Sequence, residues 1–374
     1  MLRDHFAIFE RLTFINSCSK GALSHEVRQA YQDYLRDWQE LGSPWELWMH
    51  KLESCRVLFA ELIGGPAYEV AVTASVSAAV NALASSLLPV GERDTIILCD
   101  VDFPTVAQIW HAQERLGLRV IHIPQRGNHL DMDALAQAIN ERTLLVAVAH
   151  VCYRNGLRQD IKTITELAHA KGAKILVDAY QSLGTMPLNV KELKLDFLVA
   201  GALKYLLGSS GLGWLYVAKG SMPALDPAQT GWFAQENIFA MDIYENRPAK
   251  DARRFEGGTP PVPNVYAAIA GLKLIKQLGL EKIEAQIQEL NHELIQGCLK
   301  RGFQVVTPIH PDERGSLIAL RSHRVERLVK RLEERGVVGS SRNQNLRLST
   351  HFYNNQQDIA KVLDALSQER ELLI

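Results

Sequence analysis

Paired cysteines are missing: the five in the chain, Cys18, Cys55, Cys99, Cys152 and Cys298, are scattered over 374 residues and never form a Cys-x-x-Cys arrangement. Such spacing argues against a disulfide framework and a structural zinc site, and it fits a reducing cytoplasm. No run approaches the roughly 18 apolar residues of a membrane span. Asp4, Glu10 and Arg11 interrupt the start, where a signal peptide would be continuously apolar. Charge of one sign is lacking too. A net charge of −1 gives no strong field for nucleic acid or an anionic membrane.

What is present reads as an ordinary globular protein, 47% hydrophobic and 22% charged. The length suits one large domain with a smaller appendage. From about residue 70, short β-branched runs alternate with longer amphipathic stretches, the pattern of strands and helices around a mainly parallel sheet. The strands are expected at 69–73, 95–99, 119–123, 144–149, 175–178, 197–200 and 214–217. Residues 220–263 are rich in Pro, Gly and aromatics without a clean period, which predicts long functional loops. After Pro260-Pro261-Val-Pro263 come helices expected over 265–278 and 281–300, then mixed signals fitting a small α/β domain.

Ligands of parallel sheets bind outside the carboxyl ends of the strands. Asp178 closes the apolar run Lys174-Ile-Leu-Val-Asp178, and Lys204 follows in Ala200-Gly-Ala-Leu-Lys204 ahead of Gly208-Ser-Ser-Gly-Leu-Gly213. Alone, the aspartate reads as a turn residue and the lysine as a surface charge. Together they suggest pyridoxal phosphate (PLP) chemistry, in which a lysine holds the coenzyme aldehyde and a carboxylate keeps the pyridine nitrogen protonated. Thr73-Ala-Ser-Val-Ser77 joins a strand to a helix beginning near Ser75, an arrangement suited to a phosphate, although Ser75 and Ser77 would also serve as plain caps.

Asp178-Ala-Tyr-Gln-Ser-Leu-Gly184, Lys204-Tyr-Leu-Leu-Gly208 and further segments from Phe14-Ile-Asn-Ser17 to Leu346-Arg-Leu-Ser-Thr-His-Phe-Tyr-Asn354 occur in an order that resembles one family. It is the class V aminotransferase family of fold type I PLP enzymes, which also holds cysteine desulfurases, kynureninases and isopenicillin epimerase-like proteins. The resemblance implies an α/β fold with helices on both faces of a mainly parallel sheet. It also implies an N-terminal arm (1–18), a large PLP-binding domain (19–260) and a small C-terminal domain (261–374).

Lys204 and Asp178 would be catalytic. Val76 and Ser77 would hold the phosphate, Phe103 would stack on the ring, Gln181 would meet its phenolic oxygen, and Tyr153 would stand near the ring. Thr259, in Gly257-Gly-Thr-Pro260, would reach the cofactor of a neighbouring subunit in a homodimer, with Trp232 lining the same pocket. Arg347 would grip the substrate carboxylate, bordered by Asn16 and Ser17. The implied reaction is of aminotransferase type on a small amino acid, through an external aldimine and a quinonoid.

Three departures bear on that reaction. The loop 337–345 before Arg347 contains no cysteine, against a persulfide-forming desulfurase. Phe103 and Tyr153 favour kynureninases, but Leu203 stands where those carry Tyr, and Gln181 where they carry His. A kynureninase-like hydrolase and a Cβ-eliminating carbon–sulfur lyase are therefore the alternatives. A non-catalytic protein that binds PLP or an amino acid is a further alternative; regulators of this fold usually append a DNA-binding helix-turn-helix domain, for which the thirteen residues before Phe14 are expected to leave no room.

Overall fold

The computed structural model describes residues 2–374. A seven-stranded sheet is built from β1 (Val70–Thr73), β2 (Thr95–Cys99), β3 (Arg119–Ile123), β4 (Thr143–Ala149), β5 (Lys174–Asp178), β6 (Phe197–Gly201) and β7 (Gly213–Val217). Each lies within one residue of its expected bounds. Their order is β1-β7-β6-β5-β4-β2-β3, and β7 alone pairs antiparallel with its neighbours. The strands read as continuous apolar runs because both faces are covered. Val146, Val148, Ile175 and Val177 enter one core and Leu145, Ala147 and Leu176 the other, as the two-residue period requires.

Two helices that the strand–helix alternation after residue 70 does not cover, α1 (His25–Leu41) and α2 (Trp45–Leu62), precede the sheet. The Ser24 hydroxyl caps α1 by accepting the Val27 amide at 3.1 Å. Between β1 and β2 runs α3 (Val76–Ala84), capped by Ser75, and after β2 comes α4 (Pro104–Ala112). From Gly220 to Pro261 the chain makes only 3₁₀ turns of three or four residues, in keeping with the expected loops.

Helix α5 (Val262–Leu278) starts three residues earlier than expected, because Pro263 sits in the first turn, where no amide is needed. It packs on α1 and α2 and sends Val265, Ala268 and Leu272 into the sheet's core. Helix α6 (Leu280–Lys300) leads to a three-stranded antiparallel sheet, β8 (Leu317–Arg321), β9 (Ser340–Arg342) and β10 (Asn345–Ser349), ordered β8-β10-β9. With α7 (Val325–Glu334) and α8 (Gln356–Gln368) it encloses a separate core around Leu294, Ile318, Leu328, Leu346 and Leu366. Ile15 of the N-terminal arm joins that core, and Thr13–Phe14 pair in parallel with Val337–Val338. The link to Arg347's strand comes next in the arm, where the Ser349 amide donates to the Ile15 carbonyl oxygen at 2.9 Å. No described helix is long and apolar enough to cross a membrane.

Candidate active site

The carboxyl ends of the parallel strands open onto a cavity of about 330 Å³. Val76, Ser77, Phe103, Tyr153, Asp178, Gln181 and Lys204 all line it, although they are spread over 129 positions of sequence (204 − 76 + 1). Asp178 ends β5, and its Oδ1 accepts the amide of Tyr180 at 2.9 Å. Burial pushes its carboxyl above the usual range, opposed by that amide and by Lys204. Burial also pulls the Lys204 amine down to about 8, against the attraction of Asp178. A buried carboxylate with one backbone partner, facing a half-buried amine that loses its proton readily, suits a cationic ring nitrogen at one end and an aldehyde at the other.

The turn that carries Lys204 is held from several sides. A Cβ on Gly21 would come within 2.3 Å of the Lys204 carbonyl oxygen, and one on Gly271 within 2.3 Å of that of Leu206, so two glycines admit the turn. Leu207 has a φ of 59°, a left-handed conformation that a branched residue keeps only under outside constraint.

At the opposite side, the Ser75 hydroxyl takes the Ala78 amide, which leaves the amides of Val76 and Ser77 at the open end of α3. Gly213 is what lets β7 approach this turn: a Cβ there would stand 2.9 Å from Ser75 C and Val76 N. The two free amides, with the Ser77 hydroxyl 3.3 Å from Thr105 Oγ1, form an anion cradle. Amine, carboxylate and cradle together fit PLP.

Phe103 meets Tyr153 edge to face, with ring centroids 5.0 Å apart. Immediately before it, Asp102 accepts the Cys99 amide at 2.8 Å and the Ala149 amide at 2.6 Å, stapling the ends of β2 and β4 beneath the ring. Burial pushes this carboxyl up to about 7. Gln181 donates to the Cys18 carbonyl oxygen at 3.1 Å and keeps a buried Oε1 without a partner.

Arg347, on β10, is buried behind Tyr153. It donates to the Tyr153 carbonyl at 2.9 Å, to Ser19 Oγ at 3.1 Å and to Ser340 Oγ at 3.0 Å, while its Nε has no partner. A buried guanidinium with a free Nε–H beside two exchangeable hydroxyl contacts suits a carboxylate. Asn16 bridges to Ser349 on the same strand. Ser17 instead turns its hydroxyl to Tyr353 at 2.6 Å and braces the arm rather than facing the cavity. Ser19 and Ser340, 321 positions apart, carried no signal in the linear sequence.

Two residues expected at the cofactor lie away from this cavity within the chain. Trp232 packs edge to face on Phe233, with centroids 4.4 Å apart, and borders the loop 235–247. Thr259 lines a separate depression behind β1, with Thr73 and Ala78. The loop 337–345 holds no thiol of its own, but the arm brings one beside it: Cys18 Sγ lies 3.8 Å from Ser340 Oγ. Cys298 is buried in α6, and burial pushes its thiol up to about 12.

This architecture recurs in solved proteins. A cysteine desulfurase from Thermococcus onnurineus superposes with a TM-score of 0.89 at 22% identity, over 99% of this chain and 97% of that one. A C-DES variant with glycine covalently linked to its PLP cofactor gives 0.89 at 21% identity, over 98% of both chains. Among curated sequences, the uncharacterized aminotransferase YcbU of Bacillus subtilis (strain 168) is 36% identical over 98% of this chain and 96% of its own length. A kynureninase of Geobacillus thermodenitrificans is 27% identical over 99% and 91%. The aminotransferase class-V family model matches residues 17–362. The chain belongs to the class V aminotransferase family of PLP-dependent enzymes.

Proposed function

We propose that the chain is an aminotransferase-type enzyme acting on a small amino acid. The observation that carries this reading is the meeting of Lys204, Asp178 and the α3 amide cradle on one cavity, with Arg347 behind Tyr153. When bound, PLP supplies an aldehyde that exchanges amine partners and a ring that accepts electrons from the substrate Cα. The remaining work falls to the protein. Arg347 binds the α-carboxylate through its free Nε–H and an adjacent Nη2–H, which exchanges one of its two serine contacts for the carboxylate while the other serine keeps hold of the guanidinium. Lys204 Nζ takes the Cα proton and returns it.

Asp178 keeps the proton on the ring nitrogen. Val76 and Ser77 bind the phosphate, Phe103 excludes water from the ring face, Tyr153 flanks it, and Gln181 meets the phenolic oxygen. Thr259 and Trp232, remote from the cavity of their own chain, serve the site of a second copy in a homodimer. Residues 1–18, 19–260 and 261–374 form arm, large and small domains, with α5 as the connecting helix. The compartment is the cytoplasm, in keeping with five unpaired cysteines.

Two observations favour other outcomes at the same site: the Phe103–Tyr153 pair suits a kynureninase-like hydrolase, and Cys18 beside Ser340 suits carbon–sulfur chemistry. Incubating the holoenzyme with a panel of amino acids separates them. A keto acid together with the aminated coenzyme supports transamination. Pyruvate and ammonia without that coenzyme form indicate elimination, and release of alanine from kynurenine indicates hydrolysis.

A further inference from the structure

Tyr180 lies between the two residues that handle the cofactor, and three contacts converge on it. Its amide N–H donates to Asp178 Oδ1 at 2.9 Å, so the carboxylate is held by the backbone of Tyr180. Lys204 Nζ stands 4.2 Å from the centre of the Tyr180 ring, closer than the 5.7 Å that separates it from the Phe103 ring. The far edge of the phenol fills the space that a side chain at residue 201 would need. A Cβ on Gly201 would fall 2.2 Å from Tyr180 Cζ and 2.4 Å from its hydroxyl oxygen.

We propose that Tyr180 is the positioning residue of the cofactor-bearing lysine: its ring is the face on which the Lys204 amine rests, and the absent side chain of Gly201 is what admits it. A lysine stem has many rotamers and loses that freedom when held in one place. Backbone contacts hold the turn around Lys204 but not the amine itself. A cation over an aromatic face is attracted to it, more strongly where water is excluded. The phenol proton takes no part near neutrality, since burial and the Asp178 charge push it up to about 12. The groups facing the amine are Asp178 on β5, Cys18 on the arm, Arg347 on β10 and Arg342 on β9; the two arginines oppose its charge and the other two favour it.

The inference rests on the reading that Lys204 carries the cofactor, and the test keeps the two apart. The full chain is stripped of cofactor, PLP is added, and the rate constant for growth of visible absorbance is followed against pH. Capture requires the neutral amine, so the profile reports the proton affinity of Lys204. Wild type and Tyr180→Phe are expected to share a midpoint, because both keep the ring. Tyr180→Leu is expected to move the midpoint down by about one pH unit, the amine having lost a face that favours its charged form.

Gly201→Ala keeps the tyrosine but denies it the seat, and the same downward movement is expected; this variant decides the matter if Tyr180→Leu fails to fold. Profiles of Tyr180→Leu and Gly201→Ala that superimpose on wild type overturn the proposal. So does a Tyr180→Phe profile displaced as far as that of Tyr180→Leu. Lys204→Ala is run alongside: visible absorbance that survives in it counts against the assignment of Lys204, not against Tyr180.

Discussion

His351 joins the small sheet to the turn of Lys204: its Nε2 lies 2.9 Å from the Tyr205 carbonyl oxygen and its Nδ1 2.9 Å from the Phe352 amide. Since the amide can only donate, Nδ1 accepts and Nε2 carries the proton given to Tyr205. Both ring nitrogens are thus used by the neutral imidazole, and a second proton would set N–H against N–H.

An acid sensitivity follows. Burial lowers His351 from 6.5 to about 4 in the folded chain. Between those values the unfolded chain binds the extra proton and the folded chain does not, so this histidine's contribution is complete above 6.5 and is lost as pH falls toward 4. The stability advantage of wild type over His351→Gln, read from thermal melts, is expected to shrink by about 3 kcal/mol between pH 7 and pH 4. A gap independent of pH contradicts the neutral assignment.

Arg347→Lys is expected to raise KM for the amino acid tenfold or more while changing kcat less, because a point charge cannot replace two parallel N–H donors. Ser19→Ala and Ser340→Ala, each removing one brace of the guanidinium, are expected to raise KM a few fold. Steady-state kinetics on whichever amino acid the panel identifies makes the comparison. Equal KM in Arg347→Lys and wild type counts against a carboxylate at this site.

Gly213→Ala brings a methyl group to 2.9 Å from the Ser75–Val76 peptide, so β7 or the start of α3 must move. Affinity for PLP is expected to fall on the order of tenfold, from an overpacking cost of about 1–3 kcal/mol at the cradle. Titration of the visible absorbance measures it, and an unchanged affinity argues that the phosphate binds elsewhere.

Much of this was legible in the linear chain, for definable reasons. The strands of a sheet covered on both faces are short apolar runs ended by turn residues, and all seven stand where that pattern puts them. Asp178 ends β5, Ser77 lies in the first turn of α3 and Lys204 follows β6 ahead of a glycine-rich turn, places the sequence itself marks; Phe103, just before α4, owes its expected role to the family resemblance alone. The same signal is missing for groups that act through distance. Ser19, Ser340 and Cys18 come together only because Thr13–Phe14 pair with Val337–Val338. Asp102 and Tyr180 look like loop residues until their amide and ring partners are seen. Ser17 resembles a pocket residue in its motif, yet its hydroxyl is held by Tyr353.

The loop that ends in Thr259 also has a structural anchor. Glu256 pairs with Arg56 at 2.5 Å and accepts the Val72 amide at 2.8 Å, both side chains being buried. Arg56 keeps Glu53 at 3.0 Å if Glu256 is lost, but Glu256 has no second cation among the described residues, so Arg56→Ala strands the buried carboxylate and is expected to cost about 3–5 kcal/mol in denaturant unfolding. Replacing both residues by apolar side chains of similar volume is expected to cost much less. Equal losses in the single and double variants contradict a buried pair.

The central claim is that Lys204 holds PLP in the cavity closed by Asp178. The visible spectrum of the purified protein with added PLP, compared with that of Lys204→Ala, tests it most directly. A visible band is expected in the wild type that persists through gel filtration and is absent from the variant. A band of the same position and strength in Lys204→Ala contradicts it.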